Sequence, residues 1–189
     1  MAEGNLDVLV ICGSLRKASY NAALARMLPR LAPPALKFRD APSFGGFPLY
    51  NADVQNATGF PADVTALADA IRAADAVMIV SPEYNWSIPG VLKNAIDWLS
   101  RLKEQPFKDK PVAIQTAAGG LLGGARAQLA WRQCLQGIDS VWFGRPEVII
   151  SFAAQKFDEQ GKLKDQTASD MIKTQLAAFE KFVRKISGK

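Results

Sequence analysis

Three short stretches concentrate the residues of this chain that could do chemistry. The first holds Gly13, Ser14, Leu15, Arg16, Lys17, Ala18, Ser19, Tyr20 and Asn21. Ser14 and Ser19 bring hydroxyls, Asn21 an amide, and Arg16 a planar fork that can grip two oxygens of an anion. A helix follows, and a helix N-terminus presents free N–H groups and the positive end of a dipole. Ser19 or Asn21 would serve equally as an ordinary helix cap. The basic pair Arg16 and Lys17 favours an anion. Neither G-x-G-x-x-G nor G-x-x-x-x-G-K-[ST] occurs here, so a dinucleotide fingerprint and a triphosphate cradle are both unsupported. One glycine among several hydroxyls suits a single phosphate monoester. The second stretch, residues 81–87, joins Ser81, Pro82, Glu83 and Asn85 to the flat faces of Tyr84 and Trp86. Such strand–loop–helix connections with an aromatic occur in many folds, and this one alone decides nothing. The third stretch runs Thr116, Ala117, Ala118, Gly119, Gly120, with Gly123 and Gly124 beyond. Glycines there let a backbone approach a ligand closely, although simple loop flexibility accounts as well for Gly123 and Gly124.

Composition removes much of the catalytic menu. The chain of 189 residues contains no histidine. Ser-His-Asp and Cys-His catalysis and His-ligated zinc are therefore excluded, and any catalysis must rest on other groups or on a cofactor. The two cysteines, Cys12 and Cys134, lack metal-ligand spacing and read as buried small hydrophobes, so no metal site is expected. The net charge of +5 is scattered rather than gathered into a stripe, which argues against nucleic acid. No apolar run approaches the roughly 20 residues of a membrane span, and residues 1–5 lack the basic and apolar regions of a secretory leader. A cytoplasmic protein is expected. With 49% hydrophobic and 22% charged residues, the chain reads as one globular domain over residues 1–189.

The elements that must position the three stretches follow from apolar periodicity. Aliphatic runs predict strands over residues 6–12, 36–39, 75–80 and 111–115, and a fifth over 141–143 and 147–150, broken near Pro146. Helical spacing links Leu24, Met27, Leu28 and Leu31, then Val64, Leu67, Ala68 and Ile71, then Val91, Leu92, Ala95, Ile96 and Leu99. Further helices are predicted over 125–135 and 166–186. Pro61 and Pro89 suit first turns, whereas Pro29 should kink or end its helix. Residues 40–60 show no sustained period. Phe44, Phe47, Leu49 and Tyr50 would be costly to expose there, so that loop reads as functional or interfacial. The alternation predicts an α/β fold: a three-layer, doubly wound, parallel five-stranded sheet of order 2-1-3-4-5. In that order the first, third and fourth strands are neighbours, and the three loops meet at their carboxyl ends. A phosphate cradle, an aromatic elbow and a glycine edge at one place describe a site for flavin mononucleotide.

With these residues in view, the chain resembles the NAD(P)H-dependent FMN reductases of flavodoxin-like fold, in the quinone and chromate reductase branch. The resemblance is carried by Gly13, Ser14, Leu15 and Arg16 with Ser19 and Asn21. It is carried also by Ser81, Pro82, Glu83, Tyr84 and Asn85, by Ser87, Ile88, Pro89 and Gly90, and by residues 92–98. It implies that Ser14, Arg16, Ser19 and Asn21 hold the FMN phosphate, with Leu15 and Tyr20 in the same loop. Pro82, Glu83, Tyr84 and Asn85 would line the isoalloxazine, and Thr116, Ala117, Gly119 and Gly120 its third border. Members commonly carry a serine where this chain has Ala117 and Ala118, which leaves only backbone contacts there. The resemblance further implies ping-pong transfer from NADPH or NADH through the flavin to a quinone, with chromate, ferric complexes and azo dyes as other acceptors. No side chain acts as a catalyst, and Glu83 matters through its backbone more than its carboxylate. A homodimer or homotetramer is implied, with Arg126 and Glu147 as polar interface residues. The alternative is a flavodoxin-type electron carrier; such carriers tend to be acidic, while this chain has a pI near 9.3.

Overall fold

The computed structural model describes residues 4–189; residues 1–3, on which part of the leader expectation rests, lie outside it. Five parallel lanes form the sheet, built from β1 (Leu6–Cys12), β2 (Leu36–Asp40), β3 (Ala76–Ser81), β4 (Pro111–Ala117), β5 (Val141–Trp142) and β6 (Val148–Ile150). The order is β2-β1-β3-β4-β5 as expected, and β6 pairs with β4 beyond β5. β5 lies beside Pro111 and Val112, while β6 lies beside residues 115–117. They are two pieces of one lane, interrupted around Pro146, which has no N–H to give a ladder.

Period-two alternation splits the strands' side chains between two cores. Leu6, Val8 and Val10 of β1 join Ala76, Met78 and Val80 of β3 on one face, under α1 (Tyr20–Leu31) and α7 (Gln166–Ser187). Leu9, Ile11, Val77 and Ile79 face the other way, under α3 (Ala62–Ala73), α4 (Gly90–Leu99) and α5 (Ala125–Gln136). β3 is buried along its whole length, as a central strand covered on both faces must be.

Pro29 lies inside the last turn of α1, which ends two residues later with Ala32 as its cap, as a proline there leads one to expect. Two short elements depart from the sequence reading. α2 (Ala52–Thr58) was not foreseen; it buries no residue, so it carries no apolar stripe, and Asn51 caps it. The four-residue α6 (Ala153–Lys156) was also missed. The loop after β2 keeps most of its apolar residues for itself. Phe44 is buried and Phe47 and Tyr50 pack on the second core, which leaves Leu49 exposed. Asn94 and Trp98 of α4 staple that loop: Asn94 Nδ2 and Trp98 Nε1 both donate to the Pro48 carbonyl, at 2.9 and 2.8 Å. Asn94 Oδ1 also accepts the Tyr50 N–H at 2.8 Å.

Candidate active site

β1 delivers the chain to Gly13, whose N–H donates to the Val80 carbonyl at 2.9 Å. A Cβ at Gly13 would lie 3.1 Å from Leu92, 3.2 Å from Pro82 and 3.3 Å from Ser81 Oγ. A Cβ there would press on these side chains, and glycine lets the cradle cross close over the root of the elbow without moving them. Ser14 Oγ then accepts the Arg16 N–H at 3.4 Å, and Leu15, Arg16, Lys17 and Ala18 stand exposed. Among the described residues, neither Arg16 nor Lys17 has an ion pair that would compete for an anion. Ser19 is the cap of α1, accepting from Asn21 and Ala22 N–H at 3.2 and 3.4 Å. Its hydroxyl proton is still available to a ligand, so capping and anion binding are compatible. Tyr20 stacks on Phe157 with ring centres 5.8 Å apart.

Asn21 is buried, and its carboxamide reaches across to the end of β4. Nδ2 donates to the Ala117 carbonyl at 2.8 Å and Oδ1 accepts the Ala117 N–H at 3.0 Å. One N–H is left for a phosphate; the rest of the group ties the first loop to the third. Thr116 and Ala117 sit differently from expectation. They are 0% and 2% exposed, Thr116 Oγ1 accepts from Gln128 Nε2 at 3.2 Å, and the Ala117 backbone is spent on Asn21. They form the floor of the site, and the exposed Gly119 and Gly120 form its rim. A Cβ at either glycine would meet nothing within 4 Å, so the space above them is open.

The elbow is a two-residue hairpin. Tyr84 and Ser87 exchange N–H···O bonds of 3.1 and 3.0 Å, and Asn85 and Trp86 between them have φ of 49° and 66°. Two successive left-handed residues make a type I′ turn, the form that suits the twist of a hairpin. Pro82 is buried at its root, while Tyr84 and Trp86 stand 48% and 68% exposed. Glu83 departs from expectation: its carboxylate accepts the Ala127 N–H of α5 at 3.0 Å. Next to it, Arg126 lies over the Trp86 ring, 3.9 Å from its centre. Gly123 and Gly124 are required rather than merely flexible. They have φ of +58° and +99°, and Cβ atoms there would fall 2.7 Å from Ile149 and 2.6 Å from Thr116. Arg126 and Glu147 both have partners within the chain, Trp86 and Arg132 respectively.

Two clefts flank the cradle. One of about 370 Å³ includes Lys17, Ser19, Tyr20, Arg26 and Asp158, and one of about 330 Å³ includes Cys12, Ser14, Arg26, Asp40 and Phe44. Burial pushes the Cys12 and Cys134 thiols above the usual range, so neither is poised as a thiolate. No group of three metal-ligating side chains exists among the described residues. The donor set fits FMN by type. Unpaired Arg16, Ser14, the Ser19 hydroxyl and the start of α1 suit a phosphate; Tyr84 and the open glycine rim suit a flat ring.

Residues 6–155 match the model of the NADPH-dependent FMN reductases. The chain belongs to this family. FMN and NAD(P)H are the cofactors of the family and of this member. The chain is 49% identical over 182 residues to a quinone reductase of Escherichia coli strain K12, covering 96% of this chain and 97% of that one. It is 48% identical to an NAD(P)H-dependent FMN reductase of Pseudomonas aeruginosa, covering 97% and 98%. Among solved structures, FerB of Paracoccus denitrificans, a flavoenzyme NAD(P)H:(acceptor) oxidoreductase, superposes with TM-score 0.85 at 35% identity, covering 95% and 98%. A WrbA-like flavodoxin of Agrobacterium tumefaciens shares the fold, with TM-score 0.63 at 14% identity and 96% and 99% covered.

Proposed function

We propose that this family member is an FMN-dependent NAD(P)H:quinone oxidoreductase working by a ping-pong mechanism, with chromate as a further acceptor. One observation carries the reading. Three loops tied to one another at the sheet's carboxyl edge expose a phosphate-binding set, a flat aromatic and an open glycine rim. When bound, FMN supplies the redox chemistry, passing reducing equivalents from the nicotinamide to the quinone. The protein's share is positional. Arg16, Ser14 and Ser19 hold the phosphate, while the clamped hairpin offers Tyr84 to the ring. Asn21 and the glycine turn before α5 keep the third loop in register with the other two. Quinone as acceptor is supported by the Escherichia coli relative.

A homodimer or homotetramer belongs to the same reading. Its support is the apolar rim of Trp86, Leu121, Leu122 and Leu129, all exposed, rather than the loop after β2. A cytoplasmic setting is consistent with two free thiols. The test mixes purified protein, NADPH or NADH, and a quinone, with no partner protein. Rapid donor oxidation with parallel double-reciprocal lines is expected. Intersecting lines would remove the shared pocket, and a requirement for a protein acceptor would favour the electron carrier instead. Chromate in place of quinone tests the second acceptor, and sedimentation at micromolar concentration tests the oligomer.

A further inference from the structure

We propose that Glu83 is a positioning residue: its carboxylate, docked on the first turn of α5, fixes the hairpin that faces the flavin ring. The inference rests on the FMN reading above and assigns a role to a side chain that the chemistry does not use. α5 starts badly by local criteria. Its cap position is Gly124, which has no side chain to accept an N–H, and no acidic residue stands in its first turn. The free N–H groups of a helix start need partners. Glu83 arrives from 44 positions earlier in the chain and accepts the N–H of Ala127, the third residue of the helix. That is the position a capping side chain serves, and a negative charge there also meets the positive end of the helix dipole.

The neighbouring residue grips the turn. Arg126 covers the Trp86 ring at 3.9 Å, so two consecutive residues of α5 hold the hairpin at its base and at its turn. The hairpin has need of outside support. Asparagine tolerates the left-handed conformation of position 85, but Trp86 carries a bulky side chain that disfavours its own. The exposed Tyr84 lies between the two gripped residues in the chain, so its backbone is held from both sides.

The experiment compares Glu83→Ala and Glu83→Gln with the parent. FMN and riboflavin binding is measured by equilibrium dialysis, and amide exchange at Tyr84 and Ser87 is followed in flavin-free protein. Because one charged hydrogen bond is lost, Glu83→Ala should weaken FMN and riboflavin by the same factor, about tenfold. The two hairpin amides should exchange faster. Glu83→Gln keeps an oxygen for the Ala127 N–H, and should restore affinity to within about threefold on the same scale. Its pH profile of quinone reduction should keep the parent's shape. Unchanged exchange in Glu83→Ala overturns the proposal, even if no flavin binds the parent and the functional reading fails separately. Loss of FMN but not riboflavin affinity would move Glu83 to the phosphate end. A Gln variant as slow as Ala, with one limb of the pH profile gone, would make Glu83 a proton donor. Should Glu83→Ala fail to fold, the Gln variant decides through the same exchange and binding measurements.

Discussion

Arg16 has no ion-pair partner among the described residues, and that makes its removal selective. Arg16→Ala should raise the FMN dissociation constant on the order of 10- to 150-fold, the worth of one charge-assisted hydrogen bond. Riboflavin, which has no phosphate, should scarcely respond in the same dialysis measurement. Lys17→Ala should change FMN affinity by less than about fivefold, as befits a solvated charge. Equal losses for FMN and riboflavin in Arg16→Ala would reverse the orientation assumed for the flavin. The helix cap at Ser19 was legible in the sequence because its partners lie within three residues, and the Ser14 turn was equally local. Asn21 and Glu83 were not, since their partners are 96 and 44 positions away and no local pattern names them. Trp98 offered one hint, an indole N–H in an apolar stripe that must find an acceptor.

Glycines at the edge of β4 look alike in the sequence but have different tasks at the level of the element. Gly124→Ala places a Cβ against Thr116 in a left-handed residue. Stability should fall by more than about 1 kcal/mol, visible as a lower melting temperature, and the first turn of α5 should shift away from the elbow. Gly119→Ala meets nothing within the chain, so stability should stay within about 0.5 kcal/mol while FMN binds more weakly. A stable Gly119→Ala with full FMN affinity would show that the rim does not border the ligand, and an unstable one that the space above it is not open. Strands and long helices were legible because burial imposes a period on their residues. α2 was not, because it buries nothing. The break between β5 and β6 was legible from Pro146 alone.

The edge of the sheet opposite the site holds the molecule's charge network. Asp75 accepts the Asp7 N–H at 2.9 Å and pairs with Lys189, while Lys110 donates to the carbonyls of Arg72 and Ala74 at the end of α3. Burial raises the Asp75 pKa, but Lys189, the Asp7 N–H and Lys110 outweigh it and hold the group below the usual carboxylate value. Burial lowers the Lys110 pKa, with Asp75 and Asp7 opposing that shift. A depressed carboxylate adds stability above its unfolded pKa, near 3.8, and loses it as pH falls through the lower folded value. Asp75→Asn should therefore cost about 1–3 kcal/mol at neutral pH. The difference from the parent should shrink below about pH 4, with FMN affinity at neutral pH unchanged. A gap that stays constant down to strong acid would mean the charge itself contributes nothing.

The exposure of Trp86 also makes the site optically visible. Of the four indoles, Trp98 and Trp131 are sealed at 0% exposure, whereas Trp86 and Trp142 are open at 68% and 37%. Each open indole has an arginine over it, Arg126 over Trp86 and Arg132 over Trp142; Arg132 is paired with Glu147, so Arg126 is the one that draws a small anion to its indole. Iodide should therefore quench only part of the tryptophan emission, giving a plot that bends toward a plateau. Trp86→Phe should lower that plateau, and a ring ligand seated at the elbow should lower it in the parent by shielding the same indole.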